Sequence, residues 1–128
     1  MEGIGIIGYG NMGSAIARGL IRKGIIPGIF EKSPSRAEAA REGTVVFDTL
    51  GDLVGNSRTL VLAVKPQDFP SLLDELSPLV REHRFISVAA GIPLRRIGKV
   101  LKTEEVGRFM RNLAASVGKS AVGVAFSA

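Results

Sequence analysis

The 128-residue chain has no cysteine and one histidine, His83. That removes a disulfide framework from consideration and nearly excludes a zinc or iron–sulfur centre, whose ligand sets draw on those two residue types. Aromatic residues are few, at 5% with no tryptophan, and no apolar run approaches the ~20 residues that span a bilayer. The first apolar segment starts at residue 3 and leaves no room for a leader ahead of it, so a soluble, cytoplasmic protein without membrane association is expected. The formal charge of +5 is scattered, without a basic run or interleaved aromatics, which argues against a nucleic-acid partner and suits an anionic, phosphate-bearing ligand. Also missing are an internal repeat, a low-complexity linker and a G-x-S-x-G nucleophile elbow. Gly118-Lys119-Ser120 matches the end of a phosphate-binding P-loop, but Leu113 stands where its first glycine belongs. The acidic pairs Asp74-Glu75 and Glu104-Glu105 read as solvated, as does His83 before a strand.

Apolar residues make up 45% of the chain and glycines number 16. This balance suits Val/Ile/Leu strands with closely packed helices in one domain, large enough to bury roughly two thirds of its unfolded surface. The organising stretch is Gly3-Ile4-Gly5-Ile6-Ile7, a short apolar strand that runs into Gly8-Tyr9-Gly10-Asn11-Met12-Gly13 and then a helical run to Lys23. A G-x-G-x-x-G between a strand and a helix is the context that turns a weak motif into a dinucleotide-binding expectation. Gly8 permits the tight turn, Gly10 leaves room for a pyrophosphate, and Gly13 lets helix and strand approach. The free N–H groups and positive end of the helix then face the phosphates.

Further along, Pro27-Gly28-Ile29-Phe30 leads into a second strand that ends at Glu31, and strands are expected at Thr44–Phe47, Thr59–Val64, Phe85–Ala89 and Val106–Met110, with one or two edge strands within Val117–Phe126. Ser33-Pro34 reads as the start of the next helix, Ala37 to Glu42, and helical spacing marks Leu50–Val54, Asp68–Val80 and Leu94–Leu101. Strands alternating with helices imply an α/β fold of Rossmann type, a doubly wound and mostly parallel sheet with helices on both faces. Ligands bind such sheets at the carboxyl ends of the strands, which brings the tips at Gly8, Glu31, Lys65 and Ala90 to one edge.

The tip after the second strand bears on the choice of cofactor. A carboxylate about 20 residues past the glycines serves the ribose hydroxyls of NAD, whereas cations and hydroxyls there serve the 2′-phosphate of NADP. Here Glu31 is followed at once by Lys32, Ser33 and Arg36. NADPH is the expected preference if Glu31 turns away from the ribose, with NAD remaining possible.

Four blocks carry a family resemblance. Ile6 to Ala17, Ala63-Val64-Lys65-Pro66-Gln67, Ser87-Val88-Ala89-Ala90-Gly91-Ile92, and Arg108-Phe109-Met110 with Asn112 stand in this order. Together they resemble the amino-terminal half of pyrroline-5-carboxylate reductase. The resemblance implies that Gly8, Tyr9, Gly10, Asn11, Met12 and Gly13 form the phosphate loop. Ala63, Val64, Lys65 and Pro66 would border the ribose and nicotinamide end, Ala89, Ala90 and Gly91 would pass beneath it, and Asn112 would lie near the nicotinamide as the one residue on the catalytic side. It departs from the family at Arg111 and Ala114, where prolines are frequent, and at Leu50, where an asparagine is frequent.

The implied activity is NAD(P)H-dependent reduction of the cyclic imine pyrroline-5-carboxylate to proline. Residues 1–128 would be the cofactor-binding domain of that oxidoreductase. In the family a helical carboxyl-terminal domain follows, which builds the homo-oligomer and much of the substrate pocket, so this chain alone is expected to be inactive. A hydride acceptor that is already an electrophilic iminium needs orientation and a dry pocket more than an acid–base pair, in keeping with the lack of a visible catalytic dyad. Two other readings share the glycine loop: an F420-dependent oxidoreductase-like enzyme and a non-catalytic NADP-binding module.

Overall fold

In the computed structural model, which describes residues 3–109 and 124–126, β1 (Ile4–Ile7) leads into α1 (Asn11–Arg22), β2 (Gly28–Phe30) into α2 (Pro34–Ala40), and β3 (Val45–Val46) into α3 (Leu50–Gly55). Then come β4 (Thr59–Leu62), α4 (Phe69–Leu76), β5 (Arg84–Ser87), α5 (Leu94–Leu101), β6 (Val106–Phe109) and β7 (Val124–Phe126). The sheet order is β3-β2-β1-β4-β5-β6-β7. The first six strands are parallel and β7 lies antiparallel on β6. The doubly wound Rossmann-type arrangement is therefore present, with the chain reversing direction across the sheet between β1 and β4.

Alternation along the strands divides the core. Ile7, Leu60, Leu62, Phe85 and Val106 pack with α3, α4 and α5. Ile6, Ile29, Val61, Ile86 and Phe109 pack with Ile16, Ala17 and Leu20 of α1 and Ala40 of α2. Side chains of period two on strands covered by helices on both faces give this near-continuous apolar reading.

Local chemistry trims several expected elements. The second helix starts at Pro34, as the Ser33-Pro34 signal indicates, because proline's fixed φ suits the first helical position, and it ends at Ala40, short of Glu42. The run expected as one helix from Asp68 to Val80 is split into a 3-10 turn at Pro66–Asp68, α4, and a second 3-10 turn at Ser77–Leu79 that contains Pro78. The strand expected at Thr44–Phe47 shortens to two residues at the sheet edge. Thr49 starts α3 by accepting from the Asp52 amide at 3.0 Å.

His83 corrects an expectation: it is buried, with 3% of its surface exposed. Its Nδ1 accepts from the Arg81 amide at 3.0 Å, and its Nε2 lies 2.9 Å from the Val54 carbonyl oxygen. That pairing fixes a neutral ring with the proton on Nε2, which joins the end of α3 to the turn before β5. A polar side chain is tolerated there because both ring nitrogens find backbone partners.

Candidate functional site

At the carboxyl ends of the central strands lies a cavity of about 950 Å³. The loop between β1 and α1 forms its floor. Gly8 has φ +102°, and a Cβ there would sit 2.7 Å from the Ala63 carbonyl oxygen, so only glycine fits the turn. A Cβ on Gly13 would collide with the Gly8 carbonyl oxygen, which is how closely α1 approaches the turn. Gly10 is the opposite case, because a Cβ there would meet nothing within 4 Å. It caps α1 without a side-chain hydrogen bond. The first amides of a twelve-residue helix thus open onto the cavity, a cradle that suits an anion.

Glu31 closes the other side of this loop. Its Oε1 accepts from the Tyr9 amide at 2.6 Å and its Oε2 from the Ser33 amide at 2.9 Å. The carboxylate therefore ties the β1–α1 loop to the β2–α2 loop, turned toward the glycines instead of away from them. The Gly8 amide, donating to the Phe30 carbonyl oxygen at 2.9 Å, strengthens the same junction. Beyond it stand Lys32 and Arg36, and α1 adds Arg18, so three cations line this part of the cavity. Lys32 Nζ lies 3.5 Å from Glu75 Oε2 of α4, an exposed ion pair between the two lips.

Of the residues expected at the site, the cavity brings together Gly8, Tyr9, Gly10, Asn11, Met12, Lys32, Arg36, Ala63, Val64 and Lys65. Gly13, Ser33 and Pro66 stand beside its wall without lining it, each in a packing or capping position. Ala89, Ala90 and Gly91 follow Val88, which does line it. Asn112 lies outside the described residues.

Residue-type reasoning missed Arg18 as a residue of the site. Asn11, Ser14 and Arg18 all line the cavity, and their i, i+3, i+7 spacing is a polar stripe that the sequence does display. It also missed the role of Arg108. Its guanidinium donates from Nη1 to the Ala89 carbonyl oxygen at 2.5 Å and from Nη2 to the Ile92 carbonyl oxygen at 3.0 Å. Among the described residues no group of three or more His, Cys, Asp or Glu side chains could hold a metal ion. No helix among them is long and apolar enough to cross a membrane.

A family model described as NADP oxidoreductase, coenzyme F420-dependent, matches residues 3–91. The chain is 38% identical to pyrroline-5-carboxylate reductase 3 of Danio rerio, over 86% of this chain and 41% of the relative. It is 34% identical to pyrroline-5-carboxylate reductase of Glycine max, over 92% of this chain and 46% of the relative. Among solved structures, a pyrroline-5-carboxylate reductase from Coxiella burnetii superposes with a TM-score of 0.77 at 28% identity, covering 84% of this chain and 43% of that one. The chain thus spans under half the length of these relatives.

Proposed function

Because the chain belongs to the family of NADP oxidoreductases described as coenzyme F420-dependent, we propose that residues 1–128 are the cofactor-binding domain of an NADP-dependent reductase whose substrate is the cyclic imine pyrroline-5-carboxylate and whose product is proline. The observation that carries this reading is the open cradle at Gly10, set between the start of α1 and the cations Arg18, Lys32 and Arg36 in one cavity. The relatives, all named pyrroline-5-carboxylate reductase, supply the substrate.

A bound nicotinamide dinucleotide supplies the hydride. The chain's own residues bind and orient. With the Gly8 and Tyr9 amides already engaged, the amides of Gly10 and of the first turn of α1 take the pyrophosphate, where backbone donors and the helix dipole act together. Lys32 and Arg36 pair with a 2′-phosphate through charge-assisted contacts, with Arg18 adding to the positive field. Glu31 already receives two backbone amides, so it acts first as a brace between the two loops. NADPH is then favoured, and NADH binding rests on the carboxylate's remaining acceptor capacity. Ala63, Val64 and Lys65 border the far end of the groove. In this reading the substrate pocket is completed outside these residues, by a helical carboxyl-terminal domain and a homo-oligomer, in the cytoplasm.

Titrating the protein with NADPH and with NADH, followed by cofactor fluorescence, tests the reading. Saturable binding with NADPH the tighter ligand is the expected result. Absence of binding by either overturns it, and binding of a deazaflavin in their place turns it toward coenzyme F420, which the family description names.

A further inference from the structure

We propose that Arg108, acting with Ser87, is a positioning residue that sets the loop from Ala89 to Pro93 against the sheet and thereby decides how the nicotinamide half of a dinucleotide is held. The inference rests on the dinucleotide reading above.

Ser87 and Arg108 are register partners on β5 and β6. Alternation places both on the face covered by α3, α4 and α5, below the loop that leaves β5. Ser87 is fully buried, and its Oγ accepts from the Ala89 amide at 3.1 Å. Arg108 takes the carbonyl oxygens of Ala89 and Ile92, the two ends of the exposed tip Ala90-Gly91. Among the described residues, the backbone support within the loop is a long contact from the Ile92 amide to the Ala89 carbonyl oxygen, 3.4 Å. The tip buries little of its own, so its order depends on two side chains beneath it. A planar guanidinium can bridge two carbonyls at once, and a lysine ammonium on its flexible stem cannot hold both in one fixed geometry.

The location gives the clamp its consequence. Lys32 and Arg36 stand beyond the β2 tip, on one side of the glycine loop, and Val88 enters the cavity wall from the β5 tip on the other. Two strand spacings separate β1 from β5, about 10 Å. A dinucleotide lies across the reversal in strand order, so with its 2′-phosphate at β2 its other half reaches the tips of β4 and β5. The clamped loop is the backbone that this half would meet.

The test compares two ligands on the purified chain. Adenosine 2′,5′-bisphosphate carries the 2′-phosphate half alone, and NADPH carries both halves. Arg108→Met and Arg108→Lys are titrated with each and melted thermally. Expected for Arg108→Met is a fall of about tenfold in NADPH affinity, the scale of one lost charge-assisted hydrogen bond, with bisphosphate affinity within twofold of wild type. Arg108→Lys should recover part of the loss, and it carries the comparison alone if the Met variant does not fold. Equal losses for both ligands would show a merely structural residue and overturn the proposal, as would unchanged affinity for both. Failure of the wild type to bind either ligand is a different result: it refutes the dinucleotide reading itself, before any variant is compared.

Discussion

Replacing Gly10 with alanine separates binding from folding, because the structure gives that position an ordinary backbone and open space. Its φ is −82°, and an added Cβ meets nothing within 4 Å. Alanine is a poorer helix cap than glycine, so folding should weaken by only about 0.5–1 kcal/mol, or roughly 3 °C in melting temperature. The methyl group, however, projects into the space where loop amides would receive a pyrophosphate. Losing one of these charge-assisted hydrogen bonds costs about 1.5–3 kcal/mol, which corresponds to about a tenfold to hundredfold rise in Kd for NADPH. Gly8→Ala is the counter-case. Its φ of +102° and the Ala63 carbonyl oxygen 2.7 Å from the new Cβ leave the backbone nowhere to move. Left-handed strain of ~1–2 kcal/mol adds to that collision, so this variant should lose stability by clearly more than Gly10→Ala. Fluorescence titration and thermal melts on both variants decide the matter. A Gly10→Ala protein that binds NADPH as tightly as wild type would refute the assignment of this loop as the phosphate seat.

Arg36→Ala should narrow the gap between NADPH and NADH affinities by weakening NADPH about tenfold while leaving NADH within twofold, read in paired titrations; an unchanged ratio counts against a 2′-phosphate contact. His83→Ala removes the partners of the Val54 carbonyl and the Arg81 amide and leaves a void, so stability should fall by about 2–4 kcal/mol, visible as a drop of roughly 10 °C in a melt. A melt within 2 °C of wild type, an allowance of about 0.5 kcal/mol, would mean that the buried ring holds nothing together. The isolated chain should bind NADPH yet reduce pyrroline-5-carboxylate poorly, because a hydride acceptor must be held within about 3–3.5 Å in aligned geometry and an open nicotinamide face leaves water there; turnover like that of a full-length reductase would overturn this.

Most of the fold was legible because parallel strands buried on both faces write themselves as short apolar runs. Thr59-Leu60-Val61-Leu62 and Phe85-Ile86-Ser87 sit where periodicity places strands. Boundaries slipped where one residue's chemistry outweighs periodicity, as with Pro78 interrupting the segment after α4. The glycine loop was legible in position and in the division of labour among its glycines, because each constraint is local to a few residues. His83 was misread for the opposite reason. Its partners are the Arg81 amide and the Val54 carbonyl 29 residues away, and no local pattern announces a buried ring whose two nitrogens are both satisfied.

The cofactor question shows where one-dimensional reasoning stops and why. In sequence, Glu31 beside Lys32, Ser33 and Arg36 is a contradiction, an acidic signal for NAD followed by a basic signal for NADP. In space the contradiction is reduced by a division of roles. Both oxygens of Glu31 receive main-chain amides, one from the glycine loop and one from the cap of α2. Its negative charge is thus partly balanced by backbone dipoles and anchored between the loops, while Lys32 and Arg36 are left at the rim with their charges exposed. Arg18 joins them from a helix whose polar stripe reads as a solvated face until the cavity is seen. Glu75 opposes them from α4, at a sequence distance no motif spans. The charges that line the cavity are four cations, Arg18, Lys32, Arg36 and Lys65, against three carboxylates, Asp68, Glu75 and the braced Glu31, and that positive balance favours a ligand bearing an extra phosphate.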